Sequence, residues 1–198
     1  MRLFVIARHA QSVLNVERRV SGDPGADVPL TEAGELEARL LGTQVAHLPL
    51  DACVHTRFPR TRLTAELALA EREEVLFVVE PLLDDIDIGE LDGAPLEEYP
   101  AWKHGHPRHT PFPGGESLDD AARRYGRAFR ALVAGPYRCA LVVCHEIPLR
   151  YALNAAAGSE SLDGPAHEIG NALPFLFDED GLERSAAGIE RIAGKIAV

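Results

Sequence analysis

The chain predicts an α/β fold with a largely parallel central sheet, on two observations. Short apolar runs of strand length alternate with longer stretches whose apolar residues recur at helical spacing, the order expected of a sheet built by crossover connections. Several of these runs also break off at polar residues, and in such sheets ligands bind beyond the carboxyl ends of the strands.

The elements follow in order. Leu3 to Ala7 is a continuous apolar run of the kind a buried central strand shows, and it ends at Arg8 and His9. From Thr31 to Leu48, the apolar residues Leu36, Leu40, Leu41, Val45 and Leu48 recur at helical spacing, with Thr31 placed to cap the helix and Pro49 to stop it. Ala52 to His55 reads as a second strand, Arg60 to Ala70 as a helix and Val75 to Val79 as a third strand. Residues 81–116 differ: they are rich in Pro, Gly, His and acidic residues and show no sustained period. A long irregular segment inside a domain is usually functional or disordered, and this one is expected to cover a substrate site. Ser117 and Asp120 form a capping-box pattern ahead of a stripe made by Leu118, Ala122, Tyr125, Phe129 and Leu132. Cys139 to Cys144 is another buried strand and ends at His145. Residues 149–157 read as a helix, Ala172 to Phe177 as a strand, and Asp178 to Gly181 as a turn into a hairpin. Arg8, His9 and His145 therefore fall at strand ends that can meet in one crevice.

Length and composition bound the function. The 198 residues fit one domain over 1–198, and 46% hydrophobic with 26% charged residues is an ordinary soluble composition. Twenty Lys and Arg stand against 31 Asp and Glu, a formal charge of −11. That excludes a broad basic face for nucleic acid but leaves room for a small anion held by a few arginines in a cleft. Cys53, Cys139 and Cys144 are odd in number and lack CxxC spacing, so they read as reduced core thiols in a reducing compartment. The N-terminal apolar run is too short for a signal peptide or a spanning helix, and the expectation is a cytoplasmic protein with no membrane partner. His104, His106 and His109 are irregularly spaced around Pro107 and read as solvated loop residues, so no metal and no cofactor are expected. The pattern carries no signal for oligomeric state.

The segment Arg8-His9-Ala10-Gln11-Ser12-Val13-Leu14-Asn15 resembles the RHGxTxxN signature of the histidine phosphatase superfamily, which includes the cofactor-dependent phosphoglycerate mutases. Further matches follow in the family's order: Leu30 to Gly34; Thr56 with Arg60 and Thr64 to Glu66; Asp85 with Gly89 and Gly93; Pro113 to Ser117; His145 with Arg150; and Asn171. A lone Arg-His pair is weak evidence, whereas ordered matches over residues 1–178 are strong. The resemblance implies a three-layer α/β/α, phosphoglycerate mutase-like fold and a site for phosphoryl transfer.

The residue chemistry agrees with that implication. A phosphate monoester is doubly anionic and hydrolyses extremely slowly unaided, so a catalyst gathers positive charge and supplies a nucleophile. Neutral imidazole at His9 can attack phosphorus and form a phosphohistidine that water cleaves. Arg8 and Arg60 offer planar donor forks for phosphoryl oxygens, and their charges keep His9 unprotonated. His145 serves both as a catalytic group and as a phosphate donor, and Asn15 adds a neutral hydrogen bond. The family assigns protonation of the leaving group to a Glu, where Asp85 stands here, with Asp84 and Asp87 as neighbouring alternatives. Four positions depart from the pattern. Ala10 replaces a Gly where backbone approaches phosphate, Asp85 is a methylene shorter than Glu, and Thr56 stands for a frequent Ser. Glu146 follows His145 where Gly is usual, and a carboxylate there repels a dianion unless it is turned away or paired.

The expected activity is that of a metal-independent histidine acid-type phosphatase acting on a small phosphorylated metabolite. The substrate is unspecified, but Tyr99, Trp102, Lys103, His104 and Arg108 are candidates to contact its leaving group. Two alternatives remain: a phosphoglycerate mutase, disfavoured because the interval from Asp85 to His145 is short for the insertion covering such sites, and a non-catalytic phosphate-binding module.

Overall fold

The computed structural model describes residues 2–166 and 169–194. Five strands, β1 (Leu3–Arg8), β2 (Ala52–His55), β3 (Leu76–Val79), β4 (Cys139–Cys144) and β5 (Pro174–Asp178), form one sheet in the order β3-β2-β4-β1-β5. All neighbours are parallel except β5, which runs antiparallel to β1. The helices are α1 (Val13–Val16), α2 (Glu32–Val45), α3 (Pro59–Ala68), α4 (Glu98–Gly105), α5 (Leu118–Ala134), α6 (Glu146–Ala156) and α7 (Glu179–Ala193).

Both faces of the sheet are covered, which is why β1 and β4 read as unbroken apolar runs. Phe4 and Ile6 of β1 point into a core shared with α5, α6 and α7, while Val5 and Ala7 point into a second core shared with α2 and α3. This alternation follows from the two-residue period of a strand and produces three layers, α/β/α. β3 is the exposed edge, with Leu76 and Val79 largely in solvent. Among the described residues no helix is long and apolar enough to cross a membrane.

The caps read from sequence are in place. Thr31 Oγ1 accepts from the Gly34 N–H at 3.0 Å, and Ser117 and Asp120 form a capping box at the start of α5. The expected α5 stripe from Leu118 to Leu132 is buried throughout.

Four readings are corrected. Leu36 and Leu40 are exposed, at 68% and 56%, and α2 buries Gly34, Ala38, Leu41 and Val45 instead. The helix lies so close to its neighbours that small residues are required: a Cβ on Gly34 would sit 2.0 Å from the Gln11 carbonyl oxygen. Asp178 to Gly181 is not a hairpin turn. Asp178 caps α7, its Oδ1 accepting from the Gly181 N–H at 2.7 Å. The residues that signal a turn also serve as an N-cap, and α7 buries mostly small side chains. Residues 81–116 hold order: 3₁₀ turns at Pro81–Leu83 and Gly89–Leu91, and helix α4. The helix expected over 149–157 begins earlier, at Glu146, which makes His145 its N-cap.

The stretch from 84 to 93 is fastened to 112–116 by backbone hydrogen bonds, Glu90 N–H to Pro113 O at 2.8 Å and Glu116 N–H to Asp87 O at 2.9 Å. Gly89, at φ +52°, is needed there, because a Cβ would lie 2.1 Å from the Pro113 oxygen.

Candidate functional site

The site is set by the register of two strands. Arg8 of β1 pairs with Cys144 of β4, so the next residues, His9 and His145, leave the sheet side by side. The His9 N–H donates to the Cys144 carbonyl at 2.9 Å, and the two imidazole centroids are 5.5 Å apart. From neighbouring β2, Thr56 emerges next to His145.

His9 is buried and oriented. Its Nδ1 lies 2.8 Å from the Ala10 carbonyl oxygen, which can only accept, so Nδ1 carries the proton and Nε2 presents a lone pair. The Asn171 amide donates to the His9 carbonyl at 2.8 Å and fixes the backbone. Burial, and then the charges of Arg60 and Arg8, push the His9 pKa well below its ordinary 6.5, so the ring is neutral at pH 7. The Ala10 N–H is taken by Thr64 Oγ1 at 3.0 Å, and Ala10 packs in the core against α2 and α3. Its extra methyl therefore faces the core, away from the pocket.

Arg60, on the first turn of α3, is the hub. Only 3% exposed, it donates from Nε to His9 Nε2 at 3.1 Å. Nη2 reaches Asp85 Oδ2 at 3.1 Å and His145 Nδ1 at 3.2 Å. Ser21 holds it from the other side, Oγ accepting from Nη1 and the carbonyl from Nη2, both at 3.1 Å. The guanidinium lies 4.3 Å from the Phe58 ring centroid, and the same ring meets His145 edge-on at 4.6 Å.

His145 is fully buried, and burial followed by the charge of Arg60 also pushes its pKa well below 6.5. Since Nδ1 accepts from Arg60, Nε2 carries the proton and donates to Thr56 Oγ1 at 3.0 Å. Thr56 continues to Thr61 Oγ1 at 2.8 Å, and Thr61 donates to the Phe58 carbonyl at 2.8 Å. The hydroxyl that Thr56 shares with the family's Ser thus fixes the imidazole.

Of the three neighbouring acids, Asp85 alone lines the pocket beside His9. It sits 3.4 Å from His145 Nδ1 as well as against Arg60. Burial raises its pKa above the usual carboxylate value, opposed by Arg60. Asp84 is instead tied to Arg57 at 2.6 Å, and Asp87 accepts from the Gly89 N–H at 3.0 Å. Arg124 of α5 donates to the carbonyls of Leu82, Asp84 and Asp85 at 2.9, 2.8 and 3.2 Å and so positions the acid-bearing turn.

Arg8 Nη1 donates to the Ile169 carbonyl at 2.9 Å and forms an ion pair with Glu146 Oε2 at 2.9 Å. Glu146 Oε1 pairs in turn with Arg150. The departure at Glu146 is accommodated by pairing. Asn15 lines the pocket, and its Oδ1 accepts from the Ser12 N–H at 3.0 Å, leaving the amide nitrogen as its donor. These residues ring a cavity of about 560 Å³, walled further out by Leu14, Val20, Ile86, Ile88, Leu96 and Ile147.

Every site residue read from sequence, Arg8, His9, Asn15, Arg60, Asp85 and His145, comes together, although His145, under the pocket wall, meets it through Arg60 and Asp85. Of the leaving-group candidates, Tyr99, Lys103 and His104 line the cavity. Trp102 instead stacks on His106 and Phe112, and Arg108 pairs with Asp119 at 3.0 Å and with Asp163. Ser21, Phe58 and Arg124 were not found from sequence. Nothing in the local pattern marks Ser21 or Phe58; an arginine inside the α5 stripe region looks like an ordinary surface charge.

Comparison with known proteins identifies the family. The family model for the histidine phosphatase superfamily (branch 1) matches residues 4–177. The chain belongs to the histidine phosphatase superfamily. Within it, 2,3-bisphosphoglycerate-dependent phosphoglycerate mutase 2 of Gloeobacter violaceus is 35% identical over 139 residues, 65% of this chain and 62% of that protein. The match thus spans less than two thirds of that relative. Among solved structures, YhfR of Bacillus stearothermophilus superposes with a TM-score of 0.76 at 23% identity, over 90% of this chain and 91% of that one. A mycobacterial glucosyl-3-phosphoglycerate phosphatase, solved with VO3, gives a TM-score of 0.72 at 25% identity, over 89% and 92%. The superfamily's phosphoglycerate mutase-like α/β fold is the one described above.

Proposed function

We propose that this superfamily member is a phosphatase that hydrolyses small phosphate monoesters through a phosphohistidine on His9. The observation that carries the reading is the state of His9: a neutral imidazole with Nδ1–H locked on the Ala10 carbonyl and Nε2 directed at the Arg60 guanidinium. A lone pair facing a cation in a pocket is where a phosphoryl group is both attracted and attacked.

In the proposed cycle the dianion takes over the donors of Arg60, because its oxygens are stronger acceptors than an imidazole nitrogen. The buried Arg8 Nε, which has no acceptor among the described residues, supplies another donor. His9 Nε2 then bonds to phosphorus as the bond to the leaving oxygen breaks. Asp85, its pKa raised by burial, gives the leaving oxygen its proton. Water attacks the phosphohistidine, Asp85 takes back a proton, the P–N bond breaks and phosphate leaves. With Nδ1 accepting from Arg60, His145 donates to a phosphoryl oxygen only after taking a proton, which the arriving dianion favours.

The mutase reading is supported by the name of the Gloeobacter relative. It requires transfer from phosphohistidine to a phosphoglycerate rather than to water. The test is hydrolysis of para-nitrophenyl phosphate together with trapping of acid-labile phosphate on the protein, both expected to vanish in His9→Ala. Turnover surviving that substitution removes His9 as nucleophile, and transfer to phosphoglycerate in preference to water replaces phosphatase with mutase.

A further inference from the structure

Glu146 occupies a position with a chemical consequence that the proposed reaction does not use. Its two carboxylate oxygens are divided between two guanidiniums, Oε2 on Arg8 at 2.9 Å and Oε1 on Arg150, all three residues lining the cavity that contains His9. The group is partly sheltered, the side chains of Arg8, Glu146 and Arg150 being 18%, 30% and 15% exposed, so solvent screens it less than a surface pair. Two arginines bridged by one carboxylate form an anion site that the protein fills with its own side chain.

We infer that Glu146 is a specificity-determining residue: it occupies the place of a second anionic group, so the site selects phosphate monoesters with neutral or cationic leaving groups and rejects those bearing a carboxylate or second phosphate. The inference rests on the phosphatase reading. Removing the Glu146 charge makes the wall beside the phosphoryl position more positive by one unit, whereas with Glu146 in place that wall carries a carboxylate. A phosphoglycerate entering the pocket must either lie against that carboxylate or displace it from its arginines, leaving an unpaired anion near the phosphoryl dianion. Both are unfavourable, whereas glycerol phosphate meets neither cost. The other cations around the leaving-group region do not supply a ready substitute, since Lys103 is paired with Asp163 at 2.8 Å and Arg19 lies 3.9 Å from Glu17. Arg60 is engaged with Asp85 and with the reacting group itself.

The test compares 3-phosphoglycerate with glycerol 3-phosphate, which share an alkyl phosphate and differ in the carboxylate. Dissociation constants for both are measured calorimetrically in a His9→Ala background, where turnover does not intervene, with Glu146 intact, Glu146→Gln and Glu146→Asp. Gln keeps the shape and loses the charge; Asp keeps the charge. Gln is expected to improve the affinity ratio toward 3-phosphoglycerate by about tenfold, the order of one partly screened charge pair, while Asp stays near the parent. An unchanged ratio in Gln, or Asp behaving as Gln does, overturns the inference. Absence of para-nitrophenyl phosphate turnover by the unmodified protein would instead defeat the phosphatase reading, and the binding ratio would still decide the role of Glu146.

Discussion

Replacing Arg60 by Lys separates charge from geometry at the centre of the site. The guanidinium reaches His9, Ser21, Asp85 and His145 through three nitrogens while lying over the Phe58 ring. An ammonium on a shorter donor set keeps the positive charge but cannot span both the His9 side and the Asp85–His145 side. At least two charge-assisted hydrogen bonds to the phosphoryl group are lost, and at about 1.5–3 kcal/mol each the transition state loses roughly 3–6 kcal/mol. That corresponds to a fall in kcat/KM of about 10²–10⁴-fold. Steady-state hydrolysis of para-nitrophenyl phosphate measures it, and circular dichroism shows that the variant is folded. A kcat/KM within about threefold of the parent would refute the argument, because it would mean that charge alone suffices and that the fork seen here does not grip phosphate.

Asp85→Asn is expected to lose far more activity on glycerol phosphate than on para-nitrophenyl phosphate, because an alkoxide needs a proton and a nitrophenolate hardly does. Equal losses on the two substrates would assign Asp85 to holding Arg60 rather than to proton transfer. Stability should also respond to pH through the buried histidines. The pKa values of His9 and His145 are lowered in the folded state, so between 6.5 and those lower values the unfolded chain binds protons that the folded one does not. Their contribution is complete above about pH 6.5 and is lost as pH falls through that window, by up to about 1.4 kcal/mol per pH unit for each histidine. The raised pKa of Asp85 acts with the opposite sign. Denaturant melts of the parent and His145→Gln between pH 7.5 and 5 should give a shallower acid loss in the variant, and parallel curves would contradict a buried neutral His145.

What could be read from sequence and what could not divide along a physical line. A strand end, a cap or a buried stripe is decided by residues within a few positions of one another, so Leu3 to Arg8, the Ser117–Asp120 box and the α5 stripe were legible directly. The order of motifs from Arg8 to Asn171 likewise named the family. The misreadings arose where one local signal serves two structures. Asp178 ahead of Gly181 suits a turn or an N-cap, and Leu36 and Leu40 are apolar on a helix whose tight packing favours Gly and Ala on the inner face.

By itself the sequence determined the sheet's alternating build, the caps and the set of residues capable of phosphoryl chemistry. Tertiary structure alone decided which of three acids faces His9, that Arg60 joins His9 to His145 and Asp85, and that Glu146 lies between Arg8 and Arg150. Apart from the Glu146–Arg150 pair, which is one helical turn apart, those contacts join residues far apart in the chain. Their distances follow from the β1–β4 register and from helix packing across the sheet, which no local spacing encodes.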